Sequence, residues 1–265
     1  MKGFRMKYKI LITVWTLLFF ATFCHGSEIM EKAQQGNAIA QSRLGLMYYT
    51  GEGVSKDLKE AFIWFEKSAQ QGYSTAQYNM GDMYYNGKGT TKNLKEAFAW
   101  FERSALQGAA LAQMRLGLMY YTGEGTAKDL KEAFIWFERS ALQGQALSQF
   151  QLGVMHYTGK GTPKNLKQSL VWLEKSALQE NSNAQYNLGY MYYKGQGTAK
   201  DLKKAFSWFE KSALLGDAVA QYRLGLMYYK GQGTVKDLNK TFFWLDKSAQ
   251  QGNARAQAIM EGLEG

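Results

Sequence analysis

The chain has 265 residues, 46% of them apolar, enough to bury a sizeable core. Its formal charge is +10, but Lys2, Arg5, Lys7 and Lys9 supply four of those positives, and the remainder interleaves Lys with Glu on shared segments. That pattern reads as solvated helix faces rather than a phosphate-binding patch, so no nucleic-acid partner is expected.

The first element is a processing signal. Met1 to Lys9 is basic, Ile10 to Phe23 is a continuous apolar run too short to span a bilayer comfortably, and Cys24, His25, Gly26 and Ser27 follow. This order predicts a signal peptide over residues 1–26, cleaved after Gly26 or after Cys24, and an exported protein, periplasmic or secreted. Left uncleaved, the segment would be a membrane anchor. Bulky Phe23 argues against lipidation of Cys24. Cys24 is the only cysteine, so its removal leaves no disulfide, thiol nucleophile or Cys-ligated metal.

A repeat then governs the chain. Gln41, Gln77, Gln113, Gln149, Gln185, Gln221 and Gln257 follow one another at steps of 36 residues, with no insertion. A fixed period of about 20–50 residues marks a solenoid, in which one supersecondary unit stacks on copies of itself. In the first copy, helix A covers roughly Ala38 to Thr50, with Gln41, Leu44, Gly45 and Tyr48 on one face. Gly45 costs about 1 kcal/mol in helix propensity. It recurs as Gly81, Gly117, Gly153, Gly189 and Gly225, as a small residue does where a neighbouring helix comes close. Gly51 and Gly53 end helix A. Asp57 starts helix B, with Glu60 three residues on as a capping-box-like pair. The cap position stays Asp or Asn in every copy: Asn93, Asp129, Asn165, Asp201, Asp237. Leu58, Ala61, Phe62, Phe65 and Ala69 form the apolar face of helix B, Trp64 flanks it, and Gly72 ends it.

The run from Ala40 to Gly72, AQSRLGLMYYTGEGVSKDLKEAFIWFEKSAQQG, resembles a Sel1-like repeat, a relative of the tetratricopeptide repeat. The resemblance is carried by Ala40, Leu44, Gly45, Tyr48, the Gly51/Gly53 pair, Ala61, Trp64 and Ala69. It extends over six copies, residues 38–253, flanked by an N-terminal half-repeat cap (27–37) and a C-terminal capping helix (254–265). The resemblance implies an all-α, right-handed superhelical α/α solenoid of helix-turn-helix repeats. It also implies an adaptor or scaffold, in bacteria often exported and tied to the envelope or to host interaction. A monomer is expected, because the half-repeats can cap both ends.

Comparison of the copies separates frame from surface. One stripe of helix A varies: Ser42, Tyr78, Met114, Phe150, Tyr186, Tyr222 at its first position, then Arg43, Asn79, Arg115, Gln151, Asn187, Arg223. Three residues on come Leu46, Asp82, Leu118, Val154, Tyr190 and Leu226. A second tyrosine is nearly constant beside them: Tyr49, Tyr85, Tyr121, Tyr157, Tyr193, Tyr229. In the resembled families this stripe lines a concave groove. Tyr offers large contact area at low entropic cost, and Arg and Asn can hold backbone or carboxylate groups, which suits a protein or peptide partner. The competing reading is that the tyrosines only pack adjacent A helices. The fourth copy departs from the others at His156, Ser169, Leu170, Leu173 and Glu180, and carries the sole proline, Pro163. Because Glu suits a left-handed cap poorly, helix B is expected to end differently there.

The residues point away from catalysis. One histidine beyond the signal segment, His156, makes neither a metal cluster nor a nucleophile pair, and Asp82 has no second carboxylate on the stripe. The Gly-rich loops lack the Lys-Ser/Thr pair and preceding strand of a phosphate loop. No cofactor or metal is expected. Cysteine-rich exported members of the resembled family are named β-lactamases, but this chain lacks their cysteines and any Ser-x-x-Lys placed as a nucleophile. The leading expectation is an exported, non-enzymatic interaction scaffold. The alternatives are an envelope adaptor acting on peptidoglycan or glycan enzymes and, third, a β-lactamase-like hydrolase.

Overall fold

The computed structural model describes residues 27–264; the signal segment, with Cys24, lies outside the described residues. Among the described residues there are fourteen helices and no strands. The A helices are α2 (Ala38–Thr50), α4 (Ser74–Asn86), α6 (Ala110–Thr122), α8 (Ala146–Thr158), α10 (Ser182–Lys194), α12 (Ala218–Lys230) and α14 (Ala254–Glu264). The B helices are α1 (27–34), α3 (Leu58–Gln70), α5 (Leu94–Leu106), α7 (Leu130–Leu142), α9 (Leu166–Leu178), α11 (Leu202–Leu214) and α13 (Leu238–Gln250). None is long and apolar enough to cross a membrane. The chain forms two compact units, one ending at Lys128 and the other starting at Asp129. In each, helices stack as the α/α solenoid the period predicts: α2 on α3 and α3 on α4 in the first unit, α8 on α9 and α9 on α10 in the second.

The periodic glutamines hold this stacking. Gln41 Nε2 donates to Ala33 O, Gln77 to Ala69 O, Gln149 to Ala141 O and Gln221 to Ala213 O, at 3.1–3.3 Å. Each bond ties an A helix to a carbonyl in the last turn of the preceding B helix, which also accepts the N–H of the glycine that follows (Gly36, Gly72, Gly144, Gly216), so the spacing tolerates no slip. The Oε1 of Gln41 accepts from Gln71 Nε2 at 2.6 Å, and that of Gln77 from Gln107 Nε2 at 2.7 Å. At the corresponding place in the fifth copy stands Leu215, and Gln185 Oε1 is buried without a partner.

The glycines answer two steric demands. A Cβ on Gly45 would lie 2.7 Å from the Phe65 ring and one on Gly81 2.6 Å from Phe101, so the mid-helix glycine lets helix B insert a fully buried side chain. Burying each such ring contributes about 1.5–3 kcal/mol. In the loops, Gly51 (φ 84°) ends α2 in the left-handed conformation. The second loop glycine, Gly89 (φ 69°), also faces the preceding repeat: its Cβ would lie 2.0 Å from Leu58 O.

Two expectations are corrected. Asp57 caps α3 by accepting from Lys59 N and Glu60 N, but its own N–H donates to Tyr48 O at 2.9 Å. The reciprocal half of a capping box is therefore not what secures that donor; the turn itself is. Helix B of the fourth copy ends where the others do, because Glu180 takes φ 61° and Glu180 N donates to Ala177 O. The hydrogen bonds of the turn, Glu180 N to Ala177 O and Asn181 N to Ser176 O, hold a residue without glycine's freedom in a conformation costing about 1–2 kcal/mol.

Candidate functional site

The variable stripe of the A helices forms a cleft at the same register in both units. In the first unit it lies between α2 and α4, about 180 Å³, lined by Leu46, Tyr49, Phe65, Tyr78, Asn79 and Asp82. In the second it lies between α8 and α10, about 310 Å³, lined by Val154, Tyr157, Thr158, Leu173, Tyr186, Asn187, Tyr190 and Met191. Apart from Thr158 and Met191, the A-helix residues come from the stripe. The helix-B residues Phe65 and Leu173 were legible only as core, and their part in the cleft follows from the glycine opposite each. Leu173 is smaller than the Phe at that position in the first three copies, which suits the roomier cleft.

The tyrosines pack as well as line. Tyr85 Oη donates to Glu124 at 2.7 Å, Tyr157 to Gln196 at 2.8 Å and Tyr193 to Gln232 at 3.3 Å, while Lys88 Nζ donates to Tyr49 Oη. Each bond joins an A helix to the glycine loop of the next repeat. The Glu124 carboxylate raises the Tyr85 phenol above its usual range, and the Tyr49 hydroxyl raises the Lys88 ammonium. Tyr78 meets Phe101 at 5.6 Å between centroids; Tyr186 meets Phe209 at 5.6 Å and stacks on Tyr190 at 6.5 Å. Tyr229 is half exposed, and Lys236 lies 5.4 Å over its ring. Tyr121, Tyr222 and Gln151 are half-buried on α6, α12 and α8, and Arg43 is exposed on α2.

Charge divides the two sites. Asp82 lies 3.9 Å from Lys88 Nζ and 3.7 Å from Arg115, whose guanidinium is over Tyr85. Its register equivalent, Tyr190, is approached instead by Lys194 and by Arg223, each 5.9 Å from its centroid. Asn79 and Asn187 sit at equivalent positions, and Asn187 Nδ2 donates to Asn183 O at 2.7 Å.

His156 takes the place of a tyrosine. Its ring meets Phe134 edge-on at 5.4 Å, as Tyr84 meets Phe62 at 5.3 Å, and burial lowers its pKa below the usual histidine value. Among the described residues no group of three His, Cys, Asp or Glu could hold a metal ion. On the B helices, Leu106 in the first unit and Leu142, Leu178 and Leu214 in the second are about 70% exposed, a recurrence that reading one copy alone does not reveal.

Comparison with known proteins supplies the family. The Sel1 repeat model matches six times, at residues 38–73, 74–108, 110–145, 146–181, 182–217 and 218–253, and the chain belongs to the Sel1 repeat family. The chain is similar to c5321, a protective antigen of uropathogenic Escherichia coli with the same fold, at 36% identity and TM-score 0.84. That match covers 91% of this chain and 52% of the antigen, so the chain spans about half its length. A Sel1 repeat protein of Oxalobacter formigenes is 32% identical with TM-score 0.74, covering 86% of this chain and 98% of its own. No curated protein sequence matches the chain. Repeats of this family are in general non-enzymatic scaffolds for protein–protein interaction.

Proposed function

We propose that the protein is an exported, non-enzymatic scaffold that holds an extended segment of a protein partner along the A-helix stripe. The observation that carries this reading is the recurrence of a cleft at the same repeat positions in both units. Three of those positions are identical: Tyr49 and Tyr157, Tyr78 and Tyr186, Asn79 and Asn187. Rigid aromatic walls with a short amide beside them suit a side-chain anchor and a neighbouring peptide group. Export is supported by the basic-then-apolar order of the first 23 residues and by similarity to a protein described as a protective antigen.

The test is photo-crosslinking in the native cell, with the crosslinker at Tyr190 and a control at Glu66 on α3. Capture of a discrete protein from Tyr190 alone is the expected outcome. Equal capture from Glu66, or none at Tyr190, would reduce the stripe to packing between helices.

A further inference from the structure

We infer that the cleft between α8 and α10 takes an aromatic or large apolar side chain from an acidic, extended peptide segment. This rests on the groove reading above and adds the chemistry of the partner. The cleft itself selects an apolar anchor: Leu173 and Met191 are buried beneath it, and Tyr157, Tyr186 and Tyr190 wall it. Asn187 commits its Nδ2 to Asn183 O, which leaves Oδ1 to accept a peptide N–H.

The cations around those walls point to the flanking charge. Lys164 lies 5.9 Å over Tyr157, and Lys194 and Arg223 each lie 5.9 Å over Tyr190. None of the three has a carboxylate within ion-pairing distance among the described residues, and α8, α10 and α12 contain no Asp or Glu. Arg223 Nε is buried without an acceptor, as is Arg115 Nε in the first unit, so the difference between the two lies in the carboxylate beside Arg115. At centroid distances near 6 Å, the outer limit of such contacts, a cation gains little from the half-buried tyrosines, so these groups remain available to carboxylates, with which hydrogen bonding is stronger. In the first unit the same opportunity is taken internally, by Asp82 between Lys88 and Arg115. Three cations around one apolar cleft fit a short acidic segment better than a nucleic acid, whose affinity comes from many phosphate contacts along a basic track.

The experiment measures fluorescence anisotropy of labelled peptides that share one central Phe and differ only in flanks of Glu, Gln or Lys, with an oligo-dT strand as competitor. The expected result is that the Glu peptide binds about tenfold tighter than the Gln peptide, and the Lys peptide weakest. Arg223→Glu and Lys194→Glu should each erase that advantage, bringing the Glu peptide down to or below the affinity of the Gln peptide for the same variant. Using two sites keeps the outcome readable if one variant fails to fold. Equal affinity for all three peptides, or displacement by oligo-dT at lower concentration than by the Glu peptide, overturns the acidic partner. Binding by all three that weakens on Tyr190→Ala would still support the groove. No peptide binding at about 1 mM, the weak end of specific recognition, overturns both.

Discussion

The clefts of the two units share a frame and differ in what fills it. Tyr49, Tyr78 and Asn79 in the first correspond to Tyr157, Tyr186 and Asn187 in the second; Leu46, Phe65 and Asp82 are replaced by Val154, Leu173 and Tyr190. On the next A helix of either unit the amide position holds an arginine, Arg115 on α6 and Arg223 on α12. Arg115 lies near Asp82, whereas Arg223 meets only tyrosine faces. Tyr190 in place of Asp82, with Lys194 in place of Asn86 and Gln196 in place of Lys88, thus changes a self-neutralised site into one with charge to spare. Copies of a repeat can keep their stacking bonds and still diverge in recognition, because the glutamine bonds and the constant tyrosine leave the positions of Leu46, Asp82, Val154 and Tyr190 free to vary.

If the frame is common to both units, breaking it should cost the same in each. Gly89→Ala and Gly161→Ala place a Cβ at 2.0 Å from Leu58 O and 2.1 Å from Leu130 O, at positive φ. Each should lose about 3 kcal/mol or more in thermal or denaturant unfolding, and a difference beyond about 1 kcal/mol would mean the frames are not equivalent. Gln107→Leu in the first unit reproduces what Leu215 does in the second, stranding Gln77 Oε1, and should destabilise by about 1–3 kcal/mol. Its counterpart, Leu215→Gln, restores a donor to Gln185 Oε1 and should stabilise by about 1 kcal/mol. Glu180→Gly relieves the one non-glycine residue at positive φ among those described, with an expected gain also near 1 kcal/mol. No change in the midpoint would show that the surrounding turn already favours that conformation.

The smallest effect is a pH dependence confined to the second unit, which holds the one histidine among the described residues. Burial lowers the His156 pKa, with a partial counter-effect from the Glu138 charge and a Pro163 backbone hydrogen bond. The unfolded chain therefore binds the proton more readily. Stability is full above the unfolded value of about 6.5 and falls as pH drops from there toward the folded pKa. His156→Tyr should flatten that slope while the rest of the acid limb persists. An unchanged slope would assign it to carboxylates instead.

Much of this molecule was legible in its sequence. The seven glutamines announced the period because each must reach a carbonyl eight residues back, and the cap residues and loop glycines marked helix ends by local backbone demands that any copy displays. The tyrosine stripe was legible as a face. Whether its members packed or lay open was not, since the answer is both: Tyr157 bonds a loop 39 residues away and still walls a cleft. The helix-B contribution of Phe65 and Leu173 to the clefts, the neutralisation of Asp82 and the unpaired state of Arg223 were decided only by tertiary structure. These depend on which side chains from separate repeats meet across a few ångströms, a distance that periodicity along the chain does not encode. Helix B of the fourth copy makes the same point. Local propensity at Glu180 predicted a different ending, and the turn into α10, closed by Glu180 N on Ala177 O and Asn181 N on Ser176 O, overrode it.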